Sequence, residues 1–136
     1  MPRLFLPDTN TFSSLLRKPS DGLRNRFRQT PSSMICLSVI VEAELRYGVA
    51  KRQLEQTAFG KLIQQLISGF EKLSWTSSTA SAFAYIRSQS ERQGITIATA
   101  DMMIAAQAKE MDYVLVTNDH ALHRLNKWIE VEDWTE

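Results

Sequence analysis

Short apolar runs alternate along the chain with longer stretches in which apolar positions recur every three or four residues. Leu4, Phe5 and Leu6 stop at the turn-forming cluster Pro7-Asp8-Thr9-Asn10, which predicts a buried strand over 3–6 ending beside Asp8. A brief helix over 11–16 is closed by Lys18 and Pro19. Ser20 caps a second helix to about residue 28, with Leu23 and Phe27 on one face. A second buried strand covers 34–37, and Ser38 then caps a helix over 39–50. Leu54, Ala58, Leu62 and Leu66 recur every four positions, predicting one amphipathic helix over 53–67 that ends at Gly69. Residues 72–75 form a third strand. A helix from Ser77 or Ser78 to 93 keeps Ala82, Phe83 and Ile86 inward and stops at Gly94. Thr99 caps a helix over 100–110, residues 113–116 are the clearest strand, and a short helix over 119–126 leads to a last strand over 128–131.

Apolar strands separated by helices predict an α/β protein layered around a parallel sheet. The 136 residues suit one domain, 1–136, with no repeat, low-complexity tract or linker. Hydrophobic residues make up 43%, enough for a core, and the formal net charge of +1 neither requires nor excludes a nucleic-acid partner. The charge is nevertheless uneven. Arg17, Lys18, Arg24, Arg26 and Arg28 gather near the start, and Glu130, Glu132, Asp133 and Glu136 crowd the end. The single cysteine, Cys36, lies in an apolar run and has no partner for a disulfide or a metal-binding pair. No apolar stretch reaches the roughly 18 residues a membrane span needs. The start also lacks the pattern of a signal peptide, so a cytoplasmic protein is expected.

The informative residues are acids. Ligands of open parallel sheets bind at the carboxyl ends of strands. Asp8 follows the first strand directly, and Asp119 follows the 113–116 strand within three residues, so both are expected at one edge. On the helix after Ser38, Ile40, Ala43 and Tyr47 are expected to share the apolar face, and Glu44 falls inside that arc. Glu42 lies opposite, paired with Arg46 at i+4. An isolated carboxylate is costly to bury, so Glu44 needs a salt bridge, a proton or a metal. Asp101 shares the inward face of Ile104, Ala105 and Ala108 and sits in a first turn, where the helix dipole favours an anion. Glu110 and Asp112 read as surface residues. Several carboxylates together repel one another without a cation, and magnesium or manganese prefers oxygen donors, so the set suggests a hard-cation site acting on a phosphodiester.

Other chemistries lack their residues. The five glycines form no phosphate-binding loop, and no serine sits in a nucleophile elbow. His120 and His123 have no third nitrogen or sulfur ligand for zinc, and His120 reads as a surface residue. Met102, Met103, Trp75, Trp128 and Trp134 read as packing residues.

Four segments together resemble a known family. They are Leu6-Pro7-Asp8-Thr9-Asn10, Ser38 with Glu44-Leu45-Arg46-Tyr47-Gly48, Asp101-Met102-Met103-Ile104-Ala105-Ala106, and Val116-Thr117-Asn118-Asp119, followed by the tail Glu132-Asp133-Trp134. In this order and spacing they resemble the PIN-domain toxins of the VapC type. The resemblance implies a three-layer α/β/α fold with a central parallel sheet of four to five short strands, usually as a homodimer. It implies a Mg2+-dependent endoribonuclease, with Mn2+ able to substitute, that cuts tRNA, notably initiator tRNA, or ribosomal RNA, with tRNA favoured, and is held by a VapB-type antitoxin. By position, Asp8 and Asp101 would be the principal metal ligands, with Glu44 and Asp119 completing the set. Thr9, Asn10, Ser38 and Thr117 would orient the carboxylates. The basic residues Arg17, Lys18, Arg24, Arg26 and Arg28 would form an RNA-contacting rim, since an acidic site needs flanking cations to hold RNA. Alternatives of a different class are a catalytically silent RNA- or protein-binding module of the same fold and a metal-dependent nuclease acting on DNA. Two departures from the family pattern stand out. Pro7 precedes the first aspartate and removes a strand donor there, and residues 94–98 lack the proline and second glycine common before the third acid.

Overall fold

The computed structural model describes residues 3–136. Its elements run β1 (Phe5–Pro7), α1 (Thr9–Arg17), α2 (Asp21–Gln29), β2 (Cys36–Ser38), α3 (Val39–Lys51), α4 (Ala58–Ser68), β3 (Glu71–Leu73), α5 (Ser77–Arg92), α6 (Thr99–Met111), β4 (Val114–Val116), α7 (His120–His123) and β5 (Val131–Glu132). A single 3-10 turn, Ser32–Met34, precedes β2. All pairings are parallel. β1, β4 and β5 form one sheet in the order β1-β4-β5, and β2 pairs with β3 in another. One bridge, Phe5 to Ile35, links them. The five strands therefore run β5-β4-β1-β2-β3 across the molecule, with a seam between β1 and β2.

Pro7 accounts for the position of that seam. The carbonyl of Leu4 accepts from the Val114 amide (2.9 Å), and the Asp8 amide donates to the Val116 carbonyl (3.0 Å). Even-numbered residues of β1 thus face β4, and odd-numbered ones face β2. The missing donor of Pro7 falls on the β2 side, so pairing with β4 is intact while the ladder to β2 stops after Phe5.

Side-chain caps set most helix starts. Asp8, Ser20, Ser38, Thr57, Thr76 and Asp119 each accept from a backbone amide of the following turn. Thr76 and Thr79 complete a reciprocal capping box. At α5's end Gly94 adopts φ +76°, and the amides of Gly94 and Ile95 bond back to Glu91 and Ser90.

Several boundaries and faces differ from the sequence expectation. α4 begins at Ala58, because Gln53 takes φ +55° and Thr57 starts the helix. Its buried face is Gly60, Ile63, Leu66 and Ile67, while Ala58 and Leu62 are exposed. A strict four-residue spacing drifts around a 3.6-residue helix, so only Leu66 lies on the true face. On α3 the buried residues are Val41 and Leu45, whereas Ala43 is exposed and Tyr47 is 64% exposed. Glu44 consequently stands at the edge of the buried stripe, not at its centre. Ala98, not Thr99, is the N-cap residue of α6, without a side-chain bond. α7 is a single turn, and β3 and β5 lie at 71–73 and 131–132.

The core joins Leu6, Leu37, Val41, Ile86, Met102, Ile104 and Leu115. Its aromatic end is built on Trp134, which is 1% exposed and meets Phe5 and Phe27 edge-on at 5.1 and 5.2 Å. Among the described residues no helix is long and apolar enough to cross a membrane.

Candidate active site

The chain leaves β1 toward β2 on one side of the sheet and later returns through β4 to β5 on the other. The carboxyl ends of β1 and β4 therefore flank a topological switch point, the place where an open parallel sheet forms a crevice. Asp8 follows β1, and Thr117 and Asp119 follow β4. α3 and α6 bring Glu44 and Asp101.

Asp8 is 3% exposed. Its Oδ1 accepts from the Thr11 amide (2.9 Å) and the Thr11 hydroxyl (2.6 Å), and its Oδ2 accepts from the Thr117 hydroxyl (2.5 Å). These bonds compensate the cost of burying the charge and fix the carboxylate's plane. Thr117 is itself held: its hydroxyl accepts from the Asp119 amide (3.0 Å), and its carbonyl lies 2.7 Å from His123 Nε2. Glu44 Oε1 accepts from the Thr9 hydroxyl. Asp119 caps α7 through the Ala121 amide (2.9 Å).

Asp101 differs from the other three, since no side-chain hydrogen bond holds it among the described residues. Its carboxyl is raised to about 6, first by burial and then by the negative charges of Asp8, Glu44 and Asp119. Each of the other three acids thus acts on it electrostatically, which makes the four a single group. Among the described residues no three His, Cys, Asp or Glu side chains are drawn in tightly enough to form a ready ligand cage. Mutual repulsion of carboxylates opposes such closure. The donors are all hard oxygens around uncompensated negative charge, a set that fits Mg2+ or Mn2+ and suits neither zinc nor copper.

One consequence is a pH-dependent stability. A carboxyl raised on folding contributes most when protonated, and that contribution is lost as pH rises from about 4 through 6. In chelator, Asp101→Asn is expected to melt above the wild type at pH 7.5, by about 3 °C. That corresponds to roughly 1 kcal/mol after allowance for solvent screening. The difference should shrink toward pH 4.5. Melting curves of both proteins across this range check it, and a difference that grows on acidification would contradict it.

The other expected residues divide. Thr9 and Thr117 donate to Glu44 and Asp8. Asn10 is exposed on the first turn of α1 and has no side-chain hydrogen bond among the described residues. Ser38 does not reach a carboxylate. It is fully buried, caps α3 at the Ile40 amide (3.0 Å) and donates to Gln107 Oε1 (2.5 Å). Gln107, also fully buried, donates on to the carbonyls of Leu73 (3.2 Å) and Ser74 (3.4 Å). This link pins α6 to the ends of β2 and β3 and so sets where Asp101 stands. Thr11 and Gln107 escaped the sequence reading. A signal existed for Thr11, which sits three residues after the capping Asp8, where a polar side chain can answer the cap.

The basic rim is narrower than expected. Arg26 donates to Glu132 (3.0 Å) and lies 4.6 Å from the Trp134 ring, so it ties α2 to the acidic tail. Arg24 approaches Asp21 at 3.7 Å. Arg17, Lys18 and Arg28 are exposed and have no acidic partner among the described residues. Glu110, expected at the surface, is half-buried and accepts from Thr79 (2.6 Å). The Glu42–Arg46 pair forms as expected, at 2.9 Å.

Compared with known proteins, residues 5–127 match the PIN domain model. The chain belongs to the PIN-domain family. Several of its relatives within the PIN domains carry VapC names. It is 32% identical to the tRNA(fMet)-specific endonuclease VapC of Salmonella typhimurium over 130 residues, spanning 96% of this chain and 97% of that one. It is 29% identical to ribonuclease VapC2 of Haemophilus influenzae, covering 85% of this chain and 86% of the relative. Among solved structures, the DNA-bound VapBC of Salmonella typhimurium matches this PIN domain with a TM-score of 0.83 at 29% identity, covering 98% and 99% of the two chains. The VapC-type PIN domain expected from four sequence segments is therefore the family found. The layered parallel sheet expected with it is present, divided three and two by Pro7.

Proposed function

We propose that this PIN-domain chain is the toxin of a toxin-antitoxin pair. It hydrolyses phosphodiester bonds of RNA, with tRNA as the preferred class, and a VapB-type antitoxin holds it inactive. The observation that carries the chemistry is the placement of four carboxylates, Asp8 after β1, Asp119 after β4, Glu44 on α3 and Asp101 on α6, around the sheet's switch point, near enough for the other three to raise the Asp101 carboxyl. The names of the relatives support the substrate class, and the VapBC neighbour supports the partner.

A divalent Mg2+ or Mn2+ ion, when bound, supplies Lewis acidity toward the phosphate and lowers the cost of deprotonating water. Asp8 and Asp101 are its principal ligands in this reading, with Glu44 and Asp119 beside them. The Thr11 and Thr117 hydroxyls hold Asp8 in one orientation, and Thr9 does the same for Glu44. Such supporting bonds set ligand direction and are typically worth 10–100-fold in metal affinity or activity. Arg17 and Lys18 supply positive charge that the acidic centre needs in order to retain a polyanion.

Purified protein in Mn2+ is expected to cut tRNA at a defined position and to leave duplex and single-stranded DNA intact. Mapping of product ends by gel and sequencing reads the result. Cutting of DNA at a comparable rate would replace the substrate class, and no cutting of any nucleic acid would favour a silent binding module.

A further inference from the structure

A second feature adjoins the carboxylates. Between α1, α3 and α4 lies a slot of about 100 Å3, whose lining includes Thr9, Arg17, Glu44, Gly48, Leu54 and Phe59. Thr9 and Glu44 belong to both the slot and the acidic group, so the slot opens directly onto the site. Its far wall is apolar, from Leu54 and Phe59. The Arg17 guanidinium lies over the Phe59 ring, 5.2 Å from its centroid, and so covers that face in the free protein. Among the described residues Arg17 has no acidic partner, so its charge is offset only by the weak contact with the ring.

Gly48 also lines the slot. It lies within α3, one turn after Glu44 and on the same face. A glycine there weakens the helix relative to alanine. Close packing does not require it, because a Cβ at this position would meet nothing within 4 Å. Its φ is not in the left-handed region either. The space beside Glu44 is therefore open enough at this position to be filled by a larger side chain.

We propose that this slot seats one base of the RNA substrate next to the phosphate being cut. In this arrangement Arg17 swings off the Phe59 ring to pair with the flanking phosphate, and the base takes its place against Phe59 and Leu54. This rests on the ribonuclease reading above for the identity of the chain that enters. A base offers a flat apolar face joined to an anionic backbone. The slot offers the complement, an apolar wall with one cation at the rim and the acidic centre at the other end. Base stacking on an aromatic side chain is sequence-tolerant, so the seat holds any base with at most a modest preference.

The test uses metal-free full-length protein in chelator, titrated with AMP, GMP, CMP, UMP and ribose 5-phosphate and followed by NMR. At least one nucleotide is expected to shift resonances of Gly48 and Phe59, and ribose 5-phosphate, which lacks a base, is expected to leave them unmoved. Gly48→Leu, which fills the slot while raising helix propensity, is expected to weaken nucleotide binding about tenfold without lowering the melting temperature. It should raise the KM for RNA by a similar factor with kcat little changed. Should that variant fail to fold, Phe59→Leu serves the same comparison. Equal binding by wild type and variant, binding of ribose 5-phosphate as tight as that of nucleotides, or indifference to all four nucleotides would overturn the base seat. The last result would leave the slot to a protein side chain. RNA cleavage without nucleotide binding sinks only the seat, and slot-dependent nucleotide binding without RNA cleavage sinks only the ribonuclease reading.

Discussion

Asp8→Asn is expected to lower RNA cleavage by about 10^3-fold while leaving the fold intact. The buried carboxylate is the most tightly held of the four acids, with three donors from Thr11 and Thr117. The amide is nearly the same shape. Its oxygen can keep the two Thr11 bonds, and the Thr117 hydroxyl can turn to accept from the new NH2 group. What is lost is the negative charge, and with it the strongest ligand in the proposed centre. The melting temperature should therefore change by only a few degrees, a small effect beside the loss of rate. Measuring cleavage and melting on the same preparations separates the two effects. A variant that retains more than a tenth of wild-type cleavage would remove Asp8 from the chemistry.

The largest expected effect on stability comes from Gly60→Ala. An alanine in a helix ordinarily gains about 1 kcal/mol over glycine. Here its Cβ would lie 2.0 Å from the Leu54 carbonyl oxygen and 2.9 Å from the Leu54 carbonyl carbon. That carbonyl cannot turn aside freely, because it accepts from the Thr57 amide (3.0 Å) and the Thr57 hydroxyl (2.6 Å), which together start α4. The 52–57 turn must move as a unit and expose part of the α3–α4 packing. A loss of about 2–4 kcal/mol is expected, seen as a fall of roughly 10 °C in melting temperature. An unchanged or raised melting temperature would show that the turn yields easily and that the close approach does not constrain it. Because Leu54 also lines the slot beside Glu44, RNA affinity should fall in the variant even below its melting range.

The difference between these sites shows what was legible in the sequence. Asp8 and Asp101 could be found because each combines a position fixed by local rules, a strand end and a first helical turn, with an inward direction set by apolar neighbours. Glu44 was separated from Glu42 correctly, since Glu42 pairs with Arg46, yet the apolar face assigned to its helix was rotated. Tyr47 and Ala43 lie outward because Val41 and Leu45 take the core, a choice made by packing against α1 and β2 that helical spacing does not contain. α4 failed for a similar reason: the turn at 52–57, with Gln53 at positive φ, consumes residues that continue the apolar rhythm. Gln107 was invisible because its partners, Ser38, Leu73 and Ser74, come from distant parts of the chain. The pairing of Arg26 with Glu132 and Trp134 depends in the same way on tertiary contact. It turns part of an apparent RNA-binding stripe into a structural tie. Pro7 could be read in part. The sequence indicated a missing donor, and the strand order decides that the loss falls toward β2, away from the site.

Cleavage of tRNA by the wild-type protein, assayed before chelation, in excess chelator and after Mn2+ is restored, tests the central claim most directly. The four-carboxylate centre predicts that chelation abolishes cutting, that Mn2+ restores it, and that Asp101→Asn fails to recover under the same addition. Cutting that persists at an undiminished rate in excess chelator would contradict it.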